Sequence, residues 1–403
     1  MTKNYSGKTV LIIGGGLLQI PAIKSAKELG LFTIVADLDP VAEGMKLADY
    51  PLIISTRNAD GIASFAAEFS KKKTIDAVFT AGTDVSVTVA KTQAALGLPG
   101  IKYEDALAAS DKSLMRRRFA DYHVNQPGFV SIKNYNEIEK ACSRLSFPLV
   151  IKPADNMGAR GVKKIFSIIE AREAYNTTVQ FSASKTVIIE EFMDGPELSI
   201  DALVYNGEIF ITGIGDRIIE NPPYFIETGH IMPSALPPDQ ISAGCEVFKQ
   251  GIKALGITIG AAKGDIKITP QGAMVGEIAA RLSGGFMSGF TYPYATGVNL
   301  TANALAIALG YPPPDLEEKF SRVSAEKAII ARPGKIFSIN GLEDAQKISG
   351  CKNIFLKYKT GDLVKAPTSN VEKGGNVIVV GETRTEALSI ADHVLSTIKI
   401  ITV

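Results

Sequence analysis

Short apolar segments that alternate with helical segments govern what the first 110 residues can fold into. Residues 9–13, 33–36 and 75–80 have the length and composition that predict buried strands, and residues 17–29 predict a helix between the first two. Strands that alternate with helices form a parallel sheet covered by those helices. We therefore expect an α/β domain over residues 1–110.

The remainder of the chain predicts an α+β arrangement. A helical stretch over residues 106–122 opens it, and strands and helices of mixed order follow to about residue 310. The proline run Pro312-Pro313-Pro314 marks a connector, and short strands and a last helix over residues 383–398 follow it. At 403 residues the chain is long enough for two or three domains.

The charge balance and the cysteines indicate the broad class of protein. Lysine and arginine together number 43 and aspartate and glutamate 42, so nothing favours binding to nucleic acid or to an anionic membrane surface. Cys142, Cys245 and Cys351 lie far apart without the spacing of a metal site, which favours a reducing compartment. The sequence shows neither an apolar run long enough to cross a bilayer nor a secretory signal pattern. It predicts a cytoplasmic protein without a nucleic acid or membrane partner.

Three glycines, Gly14-Gly15-Gly16, follow the first predicted strand and form part of a dinucleotide-binding pattern. Asp37, at the end of the second strand, would then bind a ribose. The full pattern requires a glycine three residues after Gly16, where this chain has Gln19. A tight turn that leaves a helix N-terminus open to a small anion is therefore favoured over NAD or FAD binding.

Two acidic residues lie on a predicted hairpin in the second half of the chain. Asp265 and Glu277 stand on apolar segments joined by Pro270-Gln271-Gly272, and a hairpin of that length brings the two carboxylates together on one face. Arg281 follows four residues after Glu277, and Gly284-Gly285 leaves the backbone open to a ligand. Two acids and an arginine are suited to holding magnesium and a phosphate in transit. Ordinary charges on a solvated hairpin are the alternative interpretation.

A second motif favours the first interpretation. An apolar strand ends in Lys152 and precedes a loop that contains Gly158 and Gly161. A lysine at a strand end can reach phosphate oxygens as a point charge, and the N–H groups of a glycine loop can close over phosphates. Glycine-rich turns are common, so the loop alone is weak evidence. The lysine, the loop and the charged residues of the hairpin, in this order, predict an enzyme that uses ATP.

Five segments of the chain follow the motif order of a known superfamily. They are SDK at residues 110–112, VIKP at 150–153 with its glycine loop, EEF at 190–192, PELSID at 196–201 and GEIAARLSGG at 276–285. This series resembles the ATP-grasp ligases over essentially the whole chain. EIAAR and the segment ETGHIMPS at 227–234 look most like the bacterial L-amino-acid ligases, and the chain is also similar to the group of biotin carboxylase and carbamoyl-phosphate synthetase.

The resemblance implies a three-part architecture. An N-terminal Rossmann-like (pre-ATP-grasp) domain over residues 1–110 would be followed by a central ATP-grasp domain of two subdomains over residues 111–310 and a small C-terminal α+β domain over residues 311–403. The nucleotide would lie between the two central subdomains.

The resemblance also implies how the chain would bind ATP. Lys112 and Lys152 would contact the phosphates, and the loop from Gly158 to Gly161 would close over them. Glu197 is the best candidate for the ribose hydroxyls, and Glu191 is the second. Without the resemblance, Lys112 is a helix-surface lysine and Lys152 a strand end that extends to solvent. The hinge strand would present backbone groups to the adenine edge and apolar side chains to its ring, from Glu190, Glu191, Phe192 and Met193.

A metal site and a phosphate-stabilising group are implied as well. Asp265 and Glu277 would bind Mg²⁺, with Mn²⁺ as an alternative metal. Many relatives place an asparagine two residues after the second acid as a further ligand, whereas this chain has Ala279, a departure that affects a second magnesium. Arg281, the catalytic residue, would stabilise the transferred γ-phosphate and the acyl-phosphate oxygens.

Four residues are candidates for contacts with the substrate: Glu227, His230, Gly284 and Gly285. The resemblance places Glu227 on an amino group and His230 on a carboxylate. For an isolated histidine near turns, the alternative is a loop side chain satisfied by a backbone partner.

The predicted function is an ATP-dependent carboxylate–amine ligase that forms an amide or peptide bond through an acyl phosphate. Its substrates would be an amino acid or small carboxylate and an amine, and the family analogy adds a homodimer. Positioning and charge neutralisation carry this chemistry, so no protein nucleophile is needed. One alternative is an ATP-dependent carboxylase or formyl-transferring ligase of the purine-biosynthesis or carbamoyl-phosphate type. Another is a nucleotide-binding module without turnover, which the intact set of charged residues disfavours.

Overall fold

A parallel sheet forms the N-terminal part of the protein. The structure is a computed structural model that describes residues 5–403. Four strands pair in the order β3-β2-β1-β4, namely β1 (Thr9–Ile13), β2 (Phe32–Asp37), β3 (Tyr50–Ile53) and β4 (Ala77–Phe79). The helices of this part are α1 (Ile20–Glu28), α2 (Glu43–Leu47), α3 (Ala59–Ser70) and α4 (Ser86–Ala95). All the pairs are parallel, so the predicted α/β arrangement is confirmed.

Strand β1 is buried on both faces, as a central strand of a parallel sheet must be. Val10 and Ile12 pack with Ile23 of α1 on one face, and Leu11 packs with Ile62 of α3 on the other. The continuous apolar run of this strand therefore reflects burial on both sides.

The glycine turn after β1 is closed by groups of the protein itself. Gly15 donates its backbone N–H to Asp37 Oδ2 at 2.8 Å. A Cβ on Gly14 would stand 3.0 Å from Gln19 Cδ, so the Gln19 side chain lies against the turn. The Gln19 amide donates to the carbonyl oxygen of Ala81, just after β4. This arrangement agrees with the tight turn favoured above.

A second sheet carries the lysine strand and the hinge strand. Its strands lie in the order β5-β8-β6-β7, namely β5 (Phe129–Ile132), β6 (Leu149–Pro153), β7 (Lys163–Ile165) and β8 (Val187–Glu191). Helices α5 (Tyr103–Ala108), α6 (Lys112–Asp121), α7 (Ile138–Cys142) and α8 (Ile168–Thr178) accompany it. Lys152 pairs with Ile188, and Val150 pairs with Glu190. The hinge strand therefore lies beside the lysine strand.

The helix predicted over residues 106–122 is divided in two. Asp111 accepts hydrogen bonds from the backbone N–H groups of Ser113 and Leu114, at 2.8 and 3.0 Å, and so caps the start of α6. The helical periodicity of the sequence continues across this cap, so the sequence predicted one helix where the structure has two. The consequence is that Lys112 begins a helix instead of lying in the middle of one.

A large sheet of eight strands, which differ in length, follows and includes much of the remaining chain. Its strands lie in the order β13-β12-β9-β10-β11-β14-β18-β16. They are β9 (Glu197–Tyr205), β10 (Glu208–Glu220), β11 (Ile226–Met232), β12 (Gly260–Thr269), β13 (Gly272–Ala279), β14 (Val323–Ile329), β16 (Cys351–Leu356) and β18 (Gly375–Gly381). Helix α9 (Pro238–Ala254) covers one face, where Phe248 packs with Phe119 of α6 and Ile266 of β12.

The C-terminal region extends this sheet and adds a small one. Strands β14, β16 and β18 belong to the large sheet, and β17 (Leu363–Val364), β15 (Gly334–Asn340) and β19 (Lys399–Thr402) form a separate one in that order. The remaining helices are α10 (Tyr292–Thr296), α11 (Leu300–Ala308), α12 (Leu342–Lys347) and α13 (Arg384–Thr397). The small C-terminal α+β part is thus present, and the domain boundaries at 110 and 310 stay predictions.

Within residues 5–403, no helix has both the length and the apolar character that crossing a membrane requires.

Candidate active site

One cavity of about 320 Å³ lies between the β5–β8 sheet and the hairpin of β12 and β13. Most of the residues proposed from the sequence lie on its wall, namely Lys112, Lys152, Gly158, Glu190, Glu191, Phe192, Met193, Glu197, Glu227, His230, Asp265, Glu277, Arg281, Gly284 and Gly285. Gly161 is the one proposed residue that does not line it. The fold therefore brings motifs that are far apart in sequence to one space.

The end of the cavity beside the hinge strand is apolar. Val150, Phe192, Met193 and Phe225 line it. The ring centroids of Phe192 and Phe225 are 6.3 Å apart, and Lys164 Nζ lies 3.4 Å from the centroid of the Phe192 ring. Apolar and aromatic walls of this kind suit a flat ring such as a nucleotide base.

Lys112 is buried at the polar end of the cavity. Its Nζ lies 2.8 Å from Glu277 Oε1 and donates to the carbonyl oxygen of Asn156, also at 2.8 Å. Burial would lower the pKa of Lys112, but the attraction of Glu277 outweighs burial and raises it. The alternative of a helix-surface lysine is wrong, because the residue is 7% exposed.

Lys152 belongs to a buried ion network with Glu190 and Arg116. Lys152 Nζ lies 2.6 Å from Glu190 Oε2, and Arg116 grips both oxygens of the same carboxylate at 2.7 and 3.2 Å. Burial would raise the pKa of Glu190, but the two cations lower it to about 2. Burial lowers the pKa of Lys152, against the pull of Glu190. Glu190 therefore keeps a side-chain role that the hinge motif did not indicate.

Arg116 also ties this network to the hairpin. Its Nη1 donates to the carbonyl oxygen of Val275 at 2.9 Å, and its Nη2 donates to that of Gly276 at 2.7 Å. Both acceptors lie on β13, next to Glu277. One buried guanidinium thus fixes the hinge strand relative to the strand of the second acid.

Asp265 and Glu277 lie directly opposite each other on β12 and β13. Side chains of such a pair project from the same face of the sheet. The carboxylate of Asp265 contacts Lys263, and that of Glu277 contacts Lys112. Burial would raise the pKa of Glu277, but Lys112 holds it below its ordinary value. Paired carboxylate oxygens on one face are the hard donors that a divalent ion such as Mg²⁺ prefers, so this donor set fits the implied metal.

Arg217 of β10 joins three acids of the cavity. Its Nη1 contacts the Glu197 carboxylate and lies 3.4 Å from Asp265 Oδ1, and its Nε donates to Glu227 Oε2 at 3.0 Å. Burial would lower the pKa of Arg217, but Asp265, Glu197 and Glu227 raise it well above its ordinary value. The guanidinium therefore sets the relative positions of the acids proposed for ribose, metal and substrate.

The two candidates for the ribose differ in their surroundings. Glu197 Oε2 lies 3.2 Å from Lys267 Nζ, at the wall of the cavity. Glu191 Oε1 instead accepts the backbone N–H of Ser146 at 3.0 Å. Both carboxylates thus have partners within the protein, Glu197 two cations and Glu191 a loop N–H, and the assignment of Glu197 to the ribose stays a prediction.

His230 is held by acids and lies in a strand. It is 2% exposed on β11, opposite Glu326 of β14. His230 Nδ1 lies 3.1 Å from Glu326 Oε2, and Nε2 lies 3.6 Å from Glu227 Oε2. The alternative of a loop histidine with a backbone partner is therefore wrong. The ligand atoms of Glu227, His230 and Glu326 lie within 4.8 Å of one another and form one polar group.

Polar and charged side chains surround the carboxyl group of Glu227. Burial would raise the pKa of its carboxyl group, but His230, Arg217 and Lys373 hold it well below the ordinary range. Gly285 lies beside it: a Cβ there would stand 2.9 Å from His230 Cε1 and 3.1 Å from Glu227 Oε1. The absence of a side chain at Gly285 thus leaves the cavity open in front of both residues.

Arg281 connects the hairpin to the N-terminal part. Its Nε donates to Asp84 Oδ1 at 2.6 Å, and its Nη1 donates to the carbonyl oxygen of Leu282 at 3.1 Å. The next residue, Ser283, donates from its backbone N–H and its hydroxyl to the buried carboxylate of Asp201, at 3.1 and 2.6 Å. Two acids from other strands and loops therefore set the path of the segment that follows Glu277.

The glycine loop is anchored from two sides. Gly158, at φ +69°, accepts the backbone N–H of Asn370 at 3.0 Å. A Cβ on Gly161, at φ +71°, would stand 2.7 Å from Phe181 Cδ2, so this position packs against the protein. Gly158 borders the cavity, and Gly161 permits the turn behind it.

Several cavity residues escaped the sequence motifs. They are Asp84, Asn156, Arg217, Lys263, Lys267 and Asn370. Asn156 lies in the glycine loop and Lys267 two residues after Asp265, but the sequence assigned no role to either, and the other four lie outside the motifs. Lys263 does share the strand alternation of Asp265, two residues later, which is the one signal that could have identified it.

Two segments of the chain match known protein families. Residues 145–289 match the ATP-grasp domain, and residues 328–403 match the L-amino acid ligase C-terminal domain 2. The first segment contains Lys152, the hinge strand and the hairpin, and the second begins in β14.

The chain is also similar to individual proteins over most of its length. An uncharacterised protein of Sinorhizobium fredii is 25% identical over 390 residues, which cover 93% of this chain and 79% of that protein. A formate-dependent phosphoribosylglycinamide formyltransferase of Saccharolobus solfataricus is 23% identical over 410 residues, with coverages of 93% and 97%. The crystal structure of an L-amino acid ligase from Bacillus licheniformis has a TM-score of 0.85 at 21% identity and covers 99% and 100% of the two chains. The chain therefore has the fold of the ATP-grasp enzymes and contains an ATP-grasp domain over residues 145–289.

Proposed function

We propose that the protein is an ATP-dependent carboxylate–amine ligase that forms an amide bond through an acyl phosphate, with an amino acid or small carboxylate as substrate. The observation that carries the proposal is one cavity in which an apolar end, two buried lysines, a carboxylate pair and Arg281 lie next to the group of Glu227 and His230. The match of residues 328–403 to an L-amino acid ligase domain supports the amino-acid class of substrate.

The apolar end is the proposed base site. The hinge strand offers its backbone groups to adenine, with Phe192 and Met193 against the ring, and Glu197 is the proposed partner of the ribose. Lys112 and Lys152 then lie at the polar end, where they bind the phosphates as point charges. Gly158 and Gly161 let the loop between them close over the phosphates and exclude water.

Asp265 and Glu277 are the proposed ligands of Mg²⁺, or of Mn²⁺ as the alternative. When bound, the ion supplies charge neutralisation of the phosphate oxygens. The two residues hold their oxygens ready on one face of the hairpin, and Arg217 fixes Asp265 from the side.

The proposed reaction has two steps. A carboxylate oxygen of the substrate attacks the γ-phosphorus of ATP, the bond to the β–γ bridging oxygen breaks, and ADP leaves with that oxygen. The amine then attacks the acyl carbon, the bond to the phosphate oxygen breaks, and the amine loses a proton as inorganic phosphate leaves. Arg281 neutralises the charge of the transferred phosphate, while Glu227 and His230 bind the amino and carboxylate groups of the first substrate.

Release of ADP and phosphate tests the proposal. The protein with Mg-ATP should release little ADP alone and more with one amino acid or with a pair, because turnover requires a carboxylate and an amine. Each proteinogenic amino acid is supplied singly and in pairs, and the products are analysed by mass. A product equal to the two substrates minus water supports the ligase, whereas absence of ATP binding contradicts it.

A second candidate function is supported by the formyltransferase relative, which matches 93% of this chain. A ligase of that type would activate formate or bicarbonate with the same ATP site. Stimulation of ADP release by formate or bicarbonate with a phosphoribosyl amine, and by no amino acid, would favour it. The homodimer and the cytoplasmic location stay predictions from the sequence.

Replacement of Gly285 by alanine should impair substrate binding while ATP binding stays intact. Its Cβ would intrude on His230 and Glu227, and φ of +57° adds backbone strain. We expect the KM for the carboxylate substrate to rise about tenfold or more, measured by ADP release. Gly361→Ala is the matched control, because Gly361 has φ +94° but open space around it. An unchanged KM in Gly285→Ala would contradict the placement of the substrate here.

A further inference from the structure

Lys263 occupies a special position on the metal-binding hairpin. It pairs with Ala279 of β13, one step along the cavity face from the pair of Asp265 and Glu277. On its other side Lys263 pairs with Asp201 of β9. All four residues of the two hairpin pairs line the cavity. The face that would bind metal therefore carries two carboxylates, one ammonium group and one methyl group.

The ammonium group of Lys263 is built into the site. It contacts Asp265 Oδ1, and its side chain is 13% exposed. The carboxylate of Glu277 instead contacts Lys112, which belongs to helix α6. Lys263 and Arg217 thus both contact the first acid, and Lys263 is the one that belongs to the same strand as that acid.

A second divalent ion next to Asp265 would need oxygen ligands and a place without positive charge. The pair of Lys263 and Ala279 provides neither. Ala279 offers no side-chain oxygen, although a hard ion such as Mg²⁺ requires a nearly complete shell of oxygen ligands. A dication placed beside Asp265 on the side of Lys263 would also be repelled by a fixed charge of the same sign in a poorly hydrated space.

We propose that the site binds a single divalent ion with the nucleotide and that Lys263 supplies, as a covalently attached cation, the charge at the position of a second. This inference rests on the proposed function, because it assumes that Asp265 and Glu277 bind a metal with ATP. Lys263 acts here as a positioning residue: it holds Asp265 and limits the number of ions.

The number of bound ions tests the inference without reference to turnover. Mn²⁺ is titrated into the full chain with a non-hydrolysable ATP analogue, and free Mn²⁺ is measured by electron paramagnetic resonance. The protein is kept in excess over the analogue, so that free nucleotide binds no ion. We expect one analogue-dependent Mn²⁺ per bound nucleotide in the wild type and in Ala279→Asn, where Lys263 is still present.

Two further variants separate the charge of Lys263 from the missing ligand. Lys263→Met should admit a second, weaker Mn²⁺, and the double variant Lys263→Met/Ala279→Asn should bind this second ion about tenfold more tightly. Lys267→Met is the matched control, because Lys267 lies on the same strand and cavity wall but contacts Glu197, and it should bind one ion.

Two ions in the wild type, or one ion in the double variant, would overturn the inference. Near-ultraviolet circular dichroism shows whether each variant folds. The number of ions bound by the wild type decides the question even where a variant does not fold. Absence of any analogue-dependent Mn²⁺ in the wild type contradicts the proposed function itself and is thereby distinguished from a count of two.

Discussion

Replacing Arg281 by lysine should lower kcat about 10³-fold. The guanidinium group holds Asp84 with Nε, at 2.6 Å, and still presents the rest of its fork on the cavity wall. A lysine has one ammonium centre, so it cannot keep Asp84 and reach a transferred phosphate at the same time. The affinity for ATP should change little, because Lys112 and Lys152 remain. The rate of ADP release at saturating substrates and the Kd for ATP by calorimetry measure the two effects separately.

The control for this substitution is Arg322→Lys. Arg322 is 43% exposed and lies 3.4 Å from Glu382 at the surface, so the same chemical change should leave kcat unaltered. If Arg281→Lys keeps kcat within a few-fold of the wild type, Arg281 has no role in stabilising the phosphate.

Replacing Arg116 by methionine should destabilise the fold by about 3–5 kcal/mol. Its side chain is 1% exposed and holds a Glu190 carboxylate that is 3% exposed. Methionine fills much of the volume but leaves Lys152 as the one remaining cation on that carboxylate. Two carbonyl oxygens of β13 also lose the hydrogen bonds that Arg116 donates to them. The shift of the urea unfolding midpoint, converted with the wild-type slope, measures the loss.

The neighbouring Arg117→Met is the matched control for stability. Arg117 is exposed and makes one hydrogen bond to the carbonyl oxygen of Ser113, at 3.3 Å, within its own helix. We expect a loss below about 1 kcal/mol. Equal losses in the two variants would show that the buried network does not contribute specifically.

The stability difference between the wild type and Arg116→Met should shrink in acid. Glu190 has an ordinary pKa of 4.5 and a pKa of about 2 in the folded protein, so the network stabilises the fold fully above pH 4.5. As the pH falls from 4.5 towards 2, the unfolded chain binds the proton first, and this stabilisation is lost. Urea unfolding of both proteins at a series of pH values checks the trend. A difference that stays constant over this range would exclude Glu190 as its source.

The fold and much of the candidate site could be predicted because their signals are local. The run Val10–Ile13 is apolar throughout, since both faces of β1 are covered. The two-residue connection between β12 and β13 fixes the register from Thr269 to Ile266, but only the register shift between Asp265 and Ile266, which the sequence pattern does not show, sets Asp265 opposite Glu277. Lys152 and Gly158 stand at the end of a strand and in the loop after it, where sequence pattern gives their place directly.

The cross-links within the site could not be predicted, because they join residues that are distant in sequence. Arg116 reaches Glu190, 74 positions away, and Val275, 159 positions away. Nothing in the sequence of its helix distinguishes Arg116 from Arg117 and Arg118, although Arg116 is buried and Arg117 is exposed. Arg217 lies in a strand without a motif, and three acids from three other places converge on it only in the folded sheet.

The pairing of β11 with β14 limits how such chains can be recombined. β11 carries Glu227 and His230 and lies between β10 and β14, so the edge that faces away from β10 is hydrogen-bonded to β14. The C-terminal region is thus the neighbour of the proposed substrate strand, and Glu326 of that region faces His230. An exchange of this region between relatives would preserve function only where the register of these two strands is kept. We therefore expect relatives that share this C-terminal region to share their substrate preference as well.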